Sequence, residues 1–228
     1  MLTWGVLWVK FPKNNKVIGQ VDLPISDWTS NRIMNLPNKL TISRILLSPV
    51  FMVLFLVDNM YSRYFATLVF VIAALTDAYD GYLARKTGVV TGFGKFMDPL
   101  ADKILTTTAF VSFVALGYAK AWMILTIIVR EFFITGLRSL AAYKGIVIMP
   151  SLLAQWKTAC QMMVIFIILL YTNLQMTFLS LGHSSSLFHS PWTLRVFDGL
   201  IFITMLLTLG TGIDYIVKNA SLLKGVLR

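Results

Sequence analysis

The chain of 228 residues is 57% hydrophobic and only 13% charged, which is too apolar for an ordinary water-soluble domain. Its net charge of +10 would suit a nucleic-acid partner in a soluble protein, but in a membrane protein the distribution of Lys and Arg matters more than their sum. The single cysteine, Cys160, excludes an internal disulfide, and no Cys/His spacing resembles a zinc site. The composition therefore favours an integral membrane protein and argues against a nucleic-acid partner.

The first 33 residues precede the first long apolar run. Their apolar stretch, residues 1–11, is too short to span a membrane and lacks a signal-peptide cleavage pattern. Trp and Lys residues in this segment would suit a helix or loop lying in the membrane interface. Alternatively, Met34 is the true start of the protein. We therefore expect an N-terminal extension at 1–33, of one of these two kinds, and one membrane domain at 34–228.

Six apolar runs follow, each close to the roughly 20 residues that cross a hydrocarbon core of about 30 Å. They predict an all-α fold, a polytopic helical bundle with transmembrane helices at residues 40–57, 64–83, 99–118, 122–143, 153–174 and 193–217. With a cytoplasmic N-terminus, every Lys and Arg except Arg63, Lys120 and Arg195 falls on the cytoplasmic side. This bias predicts that both termini face the cytoplasm and that the basic excess contacts anionic membrane lipids.

Four of the ten acidic residues fall within 26 positions: Asp77, Asp80, Asp98 and Asp102. Asp77 and Asp80 are three residues apart, and Asp98 and Asp102 are four apart, so each pair shares one face of a helix. Crowded carboxylates at the border of a bilayer repel one another unless a cation lies between them. Oxygen-only ligands select hard ions, so we expect Mg²⁺ or Mn²⁺, with two ions clamping a diphosphate.

The residues around the aspartates suit a phosphate-bearing substrate. Gly81, Ala84 and Gly94 leave room for a diphosphate to approach the backbone, and Arg85 offers a guanidinium fork. Asp102 is the candidate general base for an attacking hydroxyl, and it is also a candidate metal ligand.

Each acidic residue also has a simpler interpretation. Asp98 before Pro99 is a good helix-start pair, which would make Asp98 a cap. Asp80 could merely pair with Arg85. An acidic residue within a span could also belong to an ion pathway, which makes an ion carrier the competing class of function.

The segment 77–102 reads D-x2-D-G-x2-A-R-x8-G-x3-D-x3-D and resembles the signature of the CDP-alcohol phosphatidyltransferase family at every position. Two further stretches, 35–41 and 94–103, together with 130–138, most resemble the bacterial members that use glycerol 3-phosphate as acceptor. The similarity runs from about residue 35 to the end of the fifth span.

The resemblance implies a six-helix enzyme, commonly a homodimer, in the bacterial inner membrane. It implies that Asp77, Asp80 and Asp98 bind the metals and that Asp102 is the base. It also implies that Asn38 and Thr41, with Gly81, Arg85 and Thr91, line the site for CDP-diacylglycerol. The expected reaction moves phosphatidyl to sn-glycerol 3-phosphate, giving phosphatidylglycerol phosphate and CMP; related enzymes use serine, inositol phosphate or phosphatidylglycerol instead.

Local cations are the sequence feature that bears on the acceptor. Arg130 and Arg138 near the fourth span and Lys157 at the start of the fifth need anionic partners, and an acceptor phosphate would supply one. The alternative is structural pairing, of Arg130 with Glu131 or with an aspartate.

Overall fold

The structure, a computed structural model, describes the backbone of residues 36–87, 92–143, 152–182 and 191–220, and side chains at 41–76, 100–101, 103–141, 156–182 and 192–220. Within these ranges the fold is all-α and has six helices: α1 (Leu36–Leu56), α2 (Met60–Thr87), α3 (Gly92–Ala115), α4 (Ala121–Tyr143), α5 (Leu152–Ser180) and α6 (Pro191–Lys218). Each predicted apolar run therefore forms a helix, while the predicted extension at 1–33 lies outside the described residues.

The core of α1, α2 and α3 is built from aromatic rings. The ring centroids of Phe51 and Phe55 in α1 are 5.4 Å apart, Phe51 lies 5.4 Å from Phe70 of α2, and Phe55 lies 5.7 Å from Phe113 of α3. Such centroid distances are typical of packed aromatic pairs. Because α1 packs closely against both α2 and α3, it joins the two helices that carry the aspartates.

The outer faces of the helices are also apolar. In α1 the side chains of Leu46, Val50 and Val53 are exposed, and their spacing of three to four residues makes a continuous stripe along one face. Large exposed apolar faces of this kind are uncommon in water-soluble monomers. By length and composition, two of the described helices, at Trp156–Ser180 and Trp192–Lys218, could cross a membrane. Both observations agree with the predicted membrane bundle.

Two helix boundaries differ from the prediction for physical reasons. The end of α3 comes at Ala115, rather than at residue 118, because Gly117 adopts a φ of 77° and begins a Schellman turn. In that turn the Gly117 amide donates to the Val114 carbonyl at 3.0 Å, and the Tyr118 amide donates to the Phe113 carbonyl at 2.8 Å. Polar side chains near the end of α5 are paired across the bundle. This helix therefore continues to Ser180, six residues past its predicted end at residue 174.

The start of α3 corrects one interpretation of Asp98. The predicted third span began at Pro99, which would make Asp98 a helix cap. The helix instead begins at Gly92, so Asp98 and Pro99 both lie inside α3. Capping therefore does not account for Asp98.

Candidate acceptor and metal site

Consecutive helices run antiparallel, which brings the sequence-predicted site residues to one end of the bundle. At the opposite end, Ser62 at the start of α2 donates to the Leu54 carbonyl near the end of α1 at 2.7 Å, and Tyr64 of α2 is 2.6 Å from Thr177 near the end of α5. The first turns of α1, α3 and α5 therefore lie at the same end as the last turns of α2, α4 and α6. We call this end the polar end.

One carboxylate, Glu131 of α4, gathers three cations at the polar end; we call these four residues the Glu131 cluster. Lys157 of α5 forms an ion pair with Glu131 Oε1, Arg130 Nη1 lies 3.2 Å from the same oxygen, and Lys103 Nζ of α3 lies 3.4 Å from Oε2. All four side chains are at most 13% exposed. Among the described side chains, three positively charged groups therefore lie around one carboxylate.

Polar side chains of α5 and α6 surround the cluster. Gln161 Nε2 of α5 lies 3.4 Å from Glu131 Oε1 and 3.5 Å from Thr208 Oγ1 of α6. Arg130 Nη2 donates to Thr211 Oγ1, also of α6, at 2.9 Å. Four helices thus contribute to a single hydrogen-bonded group.

Arg138 occupies a separate position on α4, two turns beyond Glu131. Its guanidinium carbon lies 5.7 Å from the centre of the Tyr215 ring of α6, which is a cation–π distance. Within the part of the chain that the structure describes, the buried Arg138 Nε and Tyr215 hydroxyl have no hydrogen-bond partner. The structure therefore brings Arg130 and Lys157 together, and places Arg138 against α6 beside them.

The four aspartates lie in helices whose ends meet at the polar end. Asp77 and Asp80 are in the second half of α2, and Asp98 and Asp102 are in the first half of α3. In α2 the positions 77 and 80 continue, by helical spacing, the buried stripe formed by Ala66, Phe70 and Ala73. The side chains of all four aspartates lie outside the described set, and within that set no three acidic, His or Cys side chains converge.

Two residues of the predicted donor site lie in the first turns of α1. Thr41 is 2% exposed, and the backbone of Asn38 is helical. Arg44, one turn beyond Thr41, is 1% exposed and is the largest fully buried side chain described. The buried face of α1 is therefore apolar in its second half, at Phe51 and Phe55, and polar toward the polar end, at Thr41 and Arg44.

The remaining predicted donor residues have only their backbone placed. Gly81, Ala84 and Arg85 are in α2, and Gly94 is in α3. Thr91 lies outside the described residues. Their roles stay predictions.

No role in the site was predicted for Lys103, Gln161, Thr208 or Thr211, and Glu131 was considered only as a partner for Arg130. One signal was available, because Lys157 and Gln161 are four residues apart in an apolar helix and therefore share a face. Lys103 was counted among the charges that orient the protein, although it follows Asp102 directly.

Comparisons with known proteins identify the family of the chain. The family model described as CDP-alcohol phosphatidyltransferase matches residues 34–210. A Bacillus subtilis (strain 168) protein named "CDP-diacylglycerol--glycerol-3-phosphate 3-phosphatidyltransferase" is 36% identical over 204 residues, covering 84% of this chain and 98% of the relative. Proteins of the same name from Rickettsia typhi and Pseudomonas fluorescens are 41% and 39% identical over 136 and 142 residues, in each case 60% of this chain and 76% and 72% of the relative. This chain belongs to the CDP-alcohol phosphatidyltransferase family.

Proposed function

We propose that this chain transfers phosphatidyl from CDP-diacylglycerol to sn-glycerol 3-phosphate, giving phosphatidylglycerol phosphate and CMP. The relatives carry that activity in their names, over most of the length of each. The structural observation that supports it is the Glu131 cluster, whose three buried cations suit a small phosphate-bearing acceptor.

The cations of the cluster favour an acceptor that carries phosphate over serine. Buried cations are stable only with anionic partners, and Arg130 and Lys157 share one carboxylate oxygen of Glu131. A phosphate monoester carries up to two negative charges at neutral pH and accepts charge-assisted hydrogen bonds from Arg and Lys. Glycerol 3-phosphate would supply such a group, whereas serine, which has no phosphate, would not.

The cluster also adjoins the proposed general base. Lys103, which contacts Glu131, follows Asp102 directly in α3. The Cα atoms of the proposed base and of this cluster residue are therefore about 3.8 Å apart. An acceptor whose phosphate binds Arg130, Lys157 and Lys103 would therefore lie against the turn of α3 that carries Asp102. Arg138 would bind the acceptor from a position two turns further along α4.

The chemistry is a direct displacement. Asp102 takes the proton of the acceptor hydroxyl, whose oxygen forms a bond to the lipid-side phosphorus as the bond from that phosphorus to CMP breaks. No covalent enzyme intermediate is required. Asp77, Asp80, Asp98 and Asp102 would hold two Mg²⁺ or Mn²⁺ ions, which when bound supply positive charge to the diphosphate oxygens; this all-oxygen donor set suits hard divalent ions.

The donor would lie against α1, α2 and α3. Asn38, Thr41, Gly81, Arg85 and Thr91 would contact the nucleotide and diphosphate of CDP-diacylglycerol. Ala84 and Gly94, which have at most a methyl side chain, would leave room for the backbone to approach it. The acyl chains would extend sideways into the bilayer, past the exposed apolar faces.

The same proposal places the bundle in a bacterial inner membrane with the polar end and both termini in the cytoplasm. The six helices would cross the bilayer, and the exposed stripe of α1 would face lipid or the second subunit of a homodimer. A cytoplasmic polar end gives a soluble acceptor access to the Glu131 cluster.

We expect purified protein to release CMP from CDP-diacylglycerol and Mg²⁺ only when glycerol 3-phosphate is the acceptor, in a comparison with serine, inositol phosphate and phosphatidylglycerol. A chelator should stop the release, and added Mg²⁺ should restore it. Preference for another acceptor would assign the chain to a sibling transferase. No CMP release with any acceptor would contradict the proposal and favour the ion carrier.

A further inference from the structure

The second half of α6 forms the surface on which Arg130 rests. Thr211 and Gly212 are both buried, and Arg130 Nη2 donates to Thr211 Oγ1 at 2.9 Å. A Cβ atom built on Gly212 would lie 2.7 Å from Arg130 Nε and 3.4 Å from Arg130 Cγ. The guanidinium therefore lies directly against the backbone of α6, in space that any other residue would fill.

Arg130 has little freedom to move away from this surface. Its Nη1 lies 3.2 Å from Glu131 Oε1, and its Nη2 is bonded to Thr211, so the fork is held on two sides. Cβ atoms in proteins essentially never lie closer than 3.0 Å to such a neighbouring heavy atom. A methyl group at position 212 must therefore displace Arg130 Nε. Because hydrogen bonds weaken steeply when their angles change, that displacement disturbs both bonds.

A second glycine in the same helix provides the contrast. Gly210 is exposed, and a Cβ built there meets no atom within 4 Å. Glycine in a helix interior is less favourable than alanine, so both positions carry a cost in helix propensity. At position 212, unlike position 210, the missing side chain makes room for a charged group.

We infer that Thr211 and Gly212 are positioning residues that aim the Arg130 fork at the phosphate of the acceptor. The inference rests on the proposed acceptor site. It implies that α6 contributes to the affinity for the acceptor through Arg130, without contacting the acceptor itself. Both residues lie beyond position 210, where the family match ends. Neither is one of the residues that the sequence signature singles out.

The test is a set of variants of the full-length protein, assayed by CMP release with varied glycerol 3-phosphate. We expect Gly212→Ala to raise the KM for glycerol 3-phosphate roughly tenfold, the size of one lost charge-assisted hydrogen bond, and to leave the KM for CDP-diacylglycerol unchanged. Gly210→Ala should change neither value. Thr211→Val, which keeps the shape but removes the hydroxyl, should raise the same KM and covers the case in which Gly212→Ala does not fold.

A double-mutant cycle separates positioning from a general effect on folding. Arg130→Ala should itself raise the KM for glycerol 3-phosphate, and adding Gly212→Ala to it should then have no further effect, because the clashing atoms are gone. An equal effect of Gly212→Ala with and without Arg130 would overturn the inference while leaving the acceptor site intact. An unchanged KM in Arg130→Ala would overturn the acceptor site and this inference with it.

Discussion

Replacement of Asp102 by Asn is expected to lower kcat by about 10²- to 10⁴-fold, the usual contribution of a positioned general base. The amide keeps the size of the carboxylate but does not accept the proton of the acceptor hydroxyl. Binding of CDP-diacylglycerol, followed by equilibrium binding of the lipid to purified protein, should persist. Because Asp102 is also a proposed metal ligand, kcat is measured across a range of Mg²⁺ concentrations.

A loss of a proton acceptor persists at saturating Mg²⁺, whereas a loss of metal affinity alone is restored there. Asp214→Asn is the matched control, because Asp214 of α6 pairs with the exposed Lys218 and lies outside the proposed chemistry. It should leave kcat unchanged. Normal turnover by Asp102→Asn would refute the assignment of the base.

Replacement of Glu131 by Gln is expected to destabilise the folded protein by about 3–5 kcal/mol, the usual cost of removing one partner from a buried ion pair. The amide removes the carboxylate that Arg130 and Lys157 share, and leaves these two cations in surroundings that exclude most water. The measurement is thermal unfolding of purified protein in detergent, in the absence of phosphate compounds.

Two comparison variants make this result specific. Asp214→Asn breaks an exposed pair, so it should cost about 0–1 kcal/mol. Adding Lys157→Met to Glu131→Gln removes one of the uncompensated charges, so it should restore part of the lost stability. A Glu131→Gln protein as stable as the parent would show that the cluster does not need its carboxylate.

The helices could be predicted from the sequence because each is a long apolar run, and such runs have one common structure in a membrane. The boundaries were less predictable where polar residues lie at helix ends. The polar residues Asn173, Gln175 and Thr177 lie near the predicted end of the fifth span. In the structure, however, Asn173 donates to Thr67 at 2.7 Å and Tyr118 donates to Gln175 at 2.8 Å. These partners are distant in the chain, so no local pattern reveals that α5 continues.

The cations of the acceptor site were predicted in part. Arg130 and Lys157 were chosen because charges near spans need partners, and the structure joins them through Glu131. Arg130 was expected either to pair with an acidic residue or to bind the acceptor phosphate. It is paired with Glu131, and the four residues of the Glu131 cluster still include more cations than carboxylates. The roles of Lys103 and Gly212 depend on which helices are neighbours, which the sequence alone does not state.

The roles of the four aspartates stay a prediction from the sequence. The structure adds that both pairs are in helices, at the end of the bundle that also holds the Glu131 cluster. It also removes helix capping as the explanation of Asp98, since α3 begins at Gly92.

The most direct test of the central claim is to identify the lipid made by the purified protein from CDP-diacylglycerol, Mg²⁺ and isotope-labelled sn-glycerol 3-phosphate. Mass spectrometry should find the label in phosphatidylglycerol phosphate, in a one-to-one ratio with CMP released. CMP without labelled lipid, or no CMP at all, would contradict transfer to glycerol 3-phosphate by this chain.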